Sequence, residues 1–260
     1  MDLLNAGYII SGFFVGTIVG LTGVGGGSLM TPLLMMVFGI NPATAVGTDL
    51  LYAAITKSAG TLVHSLKNTV DWRITGRLAM GSLPATVATI FVLHQLDVNK
   101  PGTSGVISMS LGFALLLTAV ALIFRSQLLL YAQSRPQPAE RTVKLATVLT
   151  GAILGVLVSI SSVGAGALGV AALVFLYPRL PTVRIVGSDI AHAVPLTLVA
   201  GIGHWMLGSV NFELLGSLLI GSIPGVAIGS YFSTKLPERI LRRALAVMLI
   251  LIGGKLISAH

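Results

Sequence analysis

Apolar residues run along this chain in long unbroken stretches, and polar residues gather between them. Tyr8 to Leu21, Leu78 to Leu93, Val106 to Phe124, Leu145 to Ile160, Phe212 to Phe232 and Ala244 to Ile257 are the clearest. Several approach the ~20 residues that cross a ~30 Å hydrocarbon core as a helix. Strands of a membrane barrel would alternate polar and apolar positions, and these stretches do not. The pattern predicts an all-α polytopic membrane protein.

The pattern also repeats. Sliding the chain by 140 places aligns Val46–Leu96 with Val186–Leu236 without a gap and gives twelve identities in 51 positions. Aliphatic matches alone would be ordinary in so apolar a chain. These include Asp49/Asp189, His64/His204, Pro84/Pro224 and the glycines Gly47/Gly187, Gly76/Gly216 and Gly81/Gly221. One residue off that frame, Val24-Gly25-Gly26-Gly27-Ser28-Leu29 matches Val163-Gly164-Ala165-Gly166-Ala167-Leu168. The chain therefore divides into a first transmembrane repeat (1–124), a linker rich in Arg, Gln, Ser and Pro (125–144) and a second repeat (145–260).

Each half opens with an apolar segment interrupted by glycine, Gly7–Phe38 and Leu145–Tyr177. An unbroken helix over the first would be about 48 Å long at 1.5 Å per residue, too long for one span. The spacing predicts a hairpin of two shortened helices or, as the alternative, one helix that crosses and one that re-enters, followed by three further spans in each half.

Composition sharpens this picture. The 260 residues are 54% hydrophobic and only 9% charged, with a mean hydropathy of +0.94, against about 25% charged in soluble domains. The net charge of +8 does not predict a nucleic-acid partner, because the basic residues fall in separate loops. They group as Lys67, Arg73 and Arg77; Arg125, Arg135, Arg141 and Lys144; Arg179 and Arg184; and Lys235, Arg239, Arg242 and Arg243. Such loops face the cytoplasm. Within the repeat, the loop His64–Arg77 is basic, whereas its counterpart Trp205–Asn211 has no basic residue and Tyr177–Arg184 carries the charge instead. Opposite charge bias at equivalent positions is expected of inverted-topology repeats with an odd number of crossings each. Zero cysteines exclude disulfides, thiol catalysis and cysteine-ligated metals. The acid in MDLLNAGYII fits a retained span better than a cleaved signal.

The two glycine breaks are the candidate site. Unpaired backbone polar groups inside a membrane each cost several kcal/mol and persist only where they line an enclosed or watery cavity. A helix restarting after each break would aim free N–H groups and its positive dipole end at that cavity, where a small oxyanion could bind. Paired interrupted helices at equivalent places in two repeats point to a transporter site. The candidate substrate-binding residues are Thr22, Gly23, Gly25, Gly26, Gly27 and Ser28 in the first break. In the second they are Ser161, Ser162, Gly164 and Gly166. Close helix packing is the alternative use of such small residues. The first break lacks the GK[ST] ending of a nucleotide loop.

Lys57 is the candidate cation for an anionic substrate, or else one half of an ion pair, since a lysine within an apolar helix needs one or the other. Its repeat mate is Thr197, so the site would be asymmetric. Asp49 and Asp189 stand where equivalent helices are expected to open, as N-caps or as coupling and gating groups. His64, His204 and His192 are coupling or gating candidates because histidine titrates near neutrality, or interfacial polar residues. Pro84, Pro224 and Pro195 are expected helix kinks. No grouping has metal-ligand spacing, and no cofactor or catalytic constellation is expected.

Gly20-Leu21-Thr22-Gly23-Val24-Gly25-Gly26-Gly27, the following Pro32, Ala45-Val46-Gly47-Thr48-Asp49, Asp71-Trp72-Arg73 and Gly81-Ser82-Leu83-Pro84 resemble the TauE/SafE family of sulfite-exporter-like membrane proteins. Ser162-Val163-Gly164-Ala165-Gly166 and Val186-Gly187-Ser188-Asp189 resemble the family's weaker second repeat. The resemblance covers nearly the whole chain. It implies a permease or exporter in the bacterial cytoplasmic membrane for small sulfur-containing anions such as sulfite, sulfonates or sulfoacetate. An ion channel, or a transporter of other carboxylates or oxyanions, is the alternative. A small anion and the lipid bilayer are the expected partners, with a homodimer left open and no nucleic acid.

Overall fold

The computed structural model describes residues 3–22, 27–96, 101–134, 139–232 and 238–258. Among them every regular element is an α-helix. The first half holds α1 (Leu3–Thr22), α2 (Gly27–Met36), α3 (Pro42–Leu66), α4 (Trp72–Leu96) and α5 (Pro101–Gln133). The second holds α6 (Glu140–Ser161), α7 (Ala167–Leu176), α8 (Thr182–Met206), α9 (Phe212–Phe232) and α10 (Glu238–Ser258). Trp72–Leu96, Gly102–Gln133, Glu140–Ser161, Thr182–Met206 and Phe212–Gly229 are each long and apolar enough to cross a membrane. α3 equals α8 in length, 25 residues, but carries Asp49, Lys57 and several threonines. Most of the expected linker is helical, because α5 runs on to Gln133 and α6 begins at Glu140.

Each half opens with a hairpin, though not one of two similar shortened helices. α1 and α6 have 20 and 22 residues, whereas α2 and α7 have ten each. Ten residues rise about 15 Å, half a hydrocarbon core. The short helices nevertheless fold back along the long ones. Phe38, just past α2, packs its ring 4.8 Å from that of Tyr8 near the start of α1. Tyr177, just past α7, places its hydroxyl 2.8 Å from Thr147 Oγ1 near the start of α6. The glycine-rich break lies close to the end of one full span, so the return arm is short.

The halves exchange partners in packing. α1 lies against α9 and α4 against α6, while α3 meets α8 and α5 meets α10. The same exchange recurs atom by atom at the 140-residue offset. The Asp71 amide donates to Ser188 Oγ (2.8 Å) and the Asn211 amide to Thr48 Oγ1 (3.1 Å). Backbone amides of Thr69 and Ser209 donate to the carbonyls of His64 and His204, each at 2.9 Å. Ser82 Oγ meets His192 Nε2 at 2.8 Å, and Ser222 likewise faces Tyr52.

Contacts along these pairs set direction. Ile9, Phe13 and Thr17 of α1 face Gly221, Gly225 and Gly229 of α9 in rising order, so the two run parallel. Leu78 and Ser82 of α4 face Gly151 and Gly155 of α6, again parallel. α4 also runs parallel to α8, with Thr75 at Ser188, Ser82 at His192 and Ile90 at Gly203. α3 and α9 meet at their starts through Thr48 and Asn211. α3 opposes α8: Gly47 meets Ser209, Leu51 meets Gly201 and Gly60 meets Ile190. Equivalent helices α1 and α6, α3 and α8, and α4 and α9 therefore point in opposite directions. The α4–α6 seam depends on glycine, because a Cβ at Gly81 would overlap the Val148 carbonyl oxygen and one at Gly151 that of Leu78.

Burial follows lipid as the outer solvent. Met80, Phe91, Leu145, Ile153, Ile220 and Ile223 are exposed, whereas Thr31, Thr48, Asp49, Ser82, Thr86, Ser159, Asp189 and His192 are fully buried. Lipid contributes no hydrophobic drive between helices, so small and polar residues hold such a bundle together. One end gathers the basic loops. Arg77 pairs with Glu140 at 3.2 Å and reaches the Tyr177 hydroxyl at 3.4 Å, and Arg184 pairs with Asp71 at 3.9 Å. Those contacts bring together the end of α3, the starts of α4, α6 and α8 and the end of α7. They line an open pocket of about 240 Å³ whose walls include Arg73, Arg77, Tyr177 and Arg179.

Candidate functional site

The second glycine break forms the centre. α6 ends where Ser162 adopts the left-handed conformation, φ 59°, with its amide donating to Val158 O at 2.8 Å. Gly164 and Gly166 follow at φ 126° and 127°, a region that only glycine enters without strain. α7 then begins, with the Gly169 and Val170 amides donating to the carbonyls of Gly164 and Gly166. Ser161 helps to shape the turn: its hydroxyl donates to Leu157 O at 2.7 Å and accepts from the Val163 amide at 3.2 Å. That hydroxyl is engaged by backbone, while the Ser162 hydroxyl faces Asp49.

Lys57 reaches this break. Its Nζ donates to Ala165 O at 3.1 Å across 108 residues of sequence. Lys57 lies fifteen residues after Pro42 and nine before Leu66, about 22 Å and 14 Å from the two ends of α3. It is half-buried.

Both aspartates join the cluster, and neither caps a helix. α3 begins at Pro42 and α8 at Thr182, so Asp49 and Asp189 each sit seven residues inside. The helices extend N-terminally past Gly47 and Gly187, because those glycines are interhelical contact points packed on Ser209 and Thr69. Asp49 Oδ2 accepts a hydrogen bond of 2.5 Å from Thr31 Oγ1 on α2. Asp189 faces the Gly166 amide and packs on Gly169, where a Cβ would strike its Oδ1. Neither Asp189 oxygen completes a hydrogen bond of ordinary geometry. Lys57 lies within electrostatic reach of both carboxylates. One ammonium thus touches a non-helical backbone segment inside the bundle, with two carboxylates within its electrostatic reach.

The other expected residues divide. The first break, Gly23, Gly25 and Gly26, lies outside the described residues, with Thr22 ending α1 and Gly27 opening α2. Ser28 is buried. His192 is ten residues into α8, fully buried, with Nε2 on Ser82 and Nδ1 without a partner. His204, in the last turn of α8, is fully buried too. Its Nε2 carries the proton, because its partner at 2.9 Å, Ser159 O, can only accept. His64 is half-buried at the basic end, bonded through Nδ1 to Thr69 Oγ1 at 2.8 Å. Neither His64 nor His204 reaches the Lys57 cluster through any hydrogen bond described. Pro84, Pro195 and Pro224 all lie inside helices. Thr31, Ala165 and Gly169 belong to the site without having been expected. Gly169 had a signal, as the next glycine after Gly164-Ala165-Gly166, whereas the Ala165 carbonyl left none.

A family model described as "Sulfite exporter TauE/SafE" matches residues 8–256. The chain belongs to the TauE/SafE sulfite exporter family. It is 40% identical over 259 residues to "Probable membrane transporter protein YjnA" of Bacillus subtilis, covering 98% of this chain and all of that protein. It is 28% identical to "Probable membrane transporter protein YdhB" of the same organism, over 90% of this chain and 92% of that one. A "Probable membrane transporter protein" of Xylella fastidiosa is 29% identical, over 94% and 91%. No solved structure matches the chain. This family member is a multi-pass membrane transporter, and the Lys57 cluster is where its two halves and the second glycine break meet.

Proposed function

We propose that this protein is a secondary transporter of small sulfur-containing anions such as sulfite, sulfonates or sulfoacetate, working by alternating access in the bacterial cytoplasmic membrane. The observation that carries the reading is the Lys57 Nζ–Ala165 O contact of 3.1 Å at the second break. It puts a cation deep in the bundle beside backbone that is not committed to a helix. An arriving oxyanion replaces the Ala165 carbonyl on the ammonium and takes further hydrogen bonds from Ser162 and from the amides at the start of α7. The dipole of α7 adds to that attraction.

The opposed directions of equivalent helices support inverted repeats, in which the two halves exchange conformations to open the site to either side. α7 is the element suited to move, being only ten residues long and joined to α6 through glycines. Arginines around the cavity at the basic end raise the local anion concentration there.

Proteoliposomes holding the purified protein test the reading. Saturable uptake of labelled sulfite, accelerated by unlabelled sulfite or methanesulfonate on the far side, is the expected result. Flux that never saturates and shows no counterflow would identify a channel instead.

A further inference from the structure

The binding reading employs Lys57 and the break and leaves two buried carboxylates without a task. Charged groups within membrane spans are costly and mark ion or proton pathways. The charges themselves restrict what those carboxylates do. With all three groups ionised, Lys57 contributes +1 and Asp49 and Asp189 contribute −1 each, so the empty cluster carries −1. A monovalent anion would raise that to −2 around one ammonium, away from bulk water. Each proton bound by the cluster cancels one unit of that excess.

We infer that the transported anion is accompanied by a proton carried on the Asp189 carboxyl, so that anion and proton cross in the same direction. The inference rests on the transporter reading above. Asp189 is chosen over Asp49 on geometry. Asp49 accepts the Thr31 hydroxyl through Oδ2, whereas neither oxygen of the fully buried Asp189 completes a hydrogen bond of ordinary geometry. Asp189 also touches the moving parts, since its carboxyl rests on Gly169 of α7 and faces the Gly166 amide. Adding or removing a proton there changes what the break and the short helix meet.

The titratable surroundings are few. From α3 come Lys57 and Asp49, with His64 against Gly187, two residues earlier on α8. From α8 itself comes His192, one turn on, tied to Ser82 of α4. The break and α7 present backbone and Gly169 and no titratable side chain. A proton reaches the carboxyl from water on the loading side and leaves to water on the other, with no covalent step.

Full-length protein in pyranine-loaded vesicles provides the test, with methanesulfonate as probe because its charge is constant between about pH 6 and pH 8. An inward methanesulfonate gradient should acidify the lumen, and an inward proton gradient should speed uptake. Binding by calorimetry should tighten as pH falls, by up to about tenfold per unit for one linked proton. Asp189→Asn should bind with the same Kd at pH 6 and pH 8 and move no protons, while Asp189→Glu should restore both responses. Wild-type flux without proton movement, or pH dependence surviving in Asp189→Asn, overturns the inference and leaves anion transport standing. Absence of saturable flux for both methanesulfonate and sulfite overturns the transporter reading itself. If Asp189→Asn does not fold, the wild-type proton signal still decides.

Discussion

Replacing Lys57 with alanine removes the only cation in the central cluster, and the size of the effect follows from its surroundings. Two unit charges about 4 Å apart attract by ~4 kcal/mol at an effective dielectric of ~20. The anion does not gain all of this, because it must first displace the Ala165 carbonyl, which sits 3.1 Å from Nζ. A hydrogen bond to a charged group contributes ~1.5–3 kcal/mol. The difference is about 2 kcal/mol, or roughly a 30-fold weaker Kd in Lys57→Ala. Lys57→Arg keeps the charge on a broader head group and should lose less. Calorimetric titration of both variants with methanesulfonate in detergent at pH 7 measures this, with a melting curve to establish folding. A folded Lys57→Ala protein that binds within about twofold of wild type refutes the reasoning, because the ammonium would then be only a brace for the break.

Four glycines test the seams between the halves. A Cβ at Gly81 or Gly221 meets a backbone carbonyl, so Gly81→Ala and Gly221→Ala should each cost about 1–3 kcal/mol as the helices are pushed apart. Gly76→Ala and Gly216→Ala meet nothing within 4 Å and should be neutral or stabilising by up to ~1 kcal/mol; melting midpoints that fail to separate the two pairs would refute the packing. Ser162→Val puts a β-branched residue at φ 59°, where left-handed backbone costs L-residues about 1–2 kcal/mol; its midpoint should fall below wild type while Ser162→Gly does not. The chain has no cysteine, so single replacements report sidedness: Lys67→Cys and Arg179→Cys should resist an impermeant maleimide in intact cells, and Met206→Cys should react. Labelling of Met206→Cys and Lys67→Cys from the same side would rule out the assigned direction of α8.

Much of the architecture was legible because membranes constrain sequence strongly. Uninterrupted apolar stretches, loops carrying arginine and lysine, and a 140-residue repeat each arise from local rules, and the hydrogen bonds of Thr48 and Ser188 keep that same offset in space. The glycine breaks were visible for the same reason, since only glycine enters the φ values found at Gly164 and Gly166. Helix starts were less legible. Asp49 and Asp189 resemble caps in sequence, yet α3 and α8 begin two turns earlier, because Gly47 and Gly187 serve contacts with the other half and do not end a helix.

By itself, then, the sequence determined that this is an all-helical, multi-pass membrane protein of two related halves, with a charged residue in a helix and a glycine break in each half. What only the tertiary structure decided is who meets whom. The first helix of each half packs on the fourth helix of the other, and α2 and α7 are half-length return arms. Lys57 reaches across 108 residues to the carbonyl of Ala165, within electrostatic reach of two carboxylates. Apolar patterning records a residue's exposure to lipid but not the identity of its neighbour. A backbone carbonyl is the same group at every position, so only the fold could select this one.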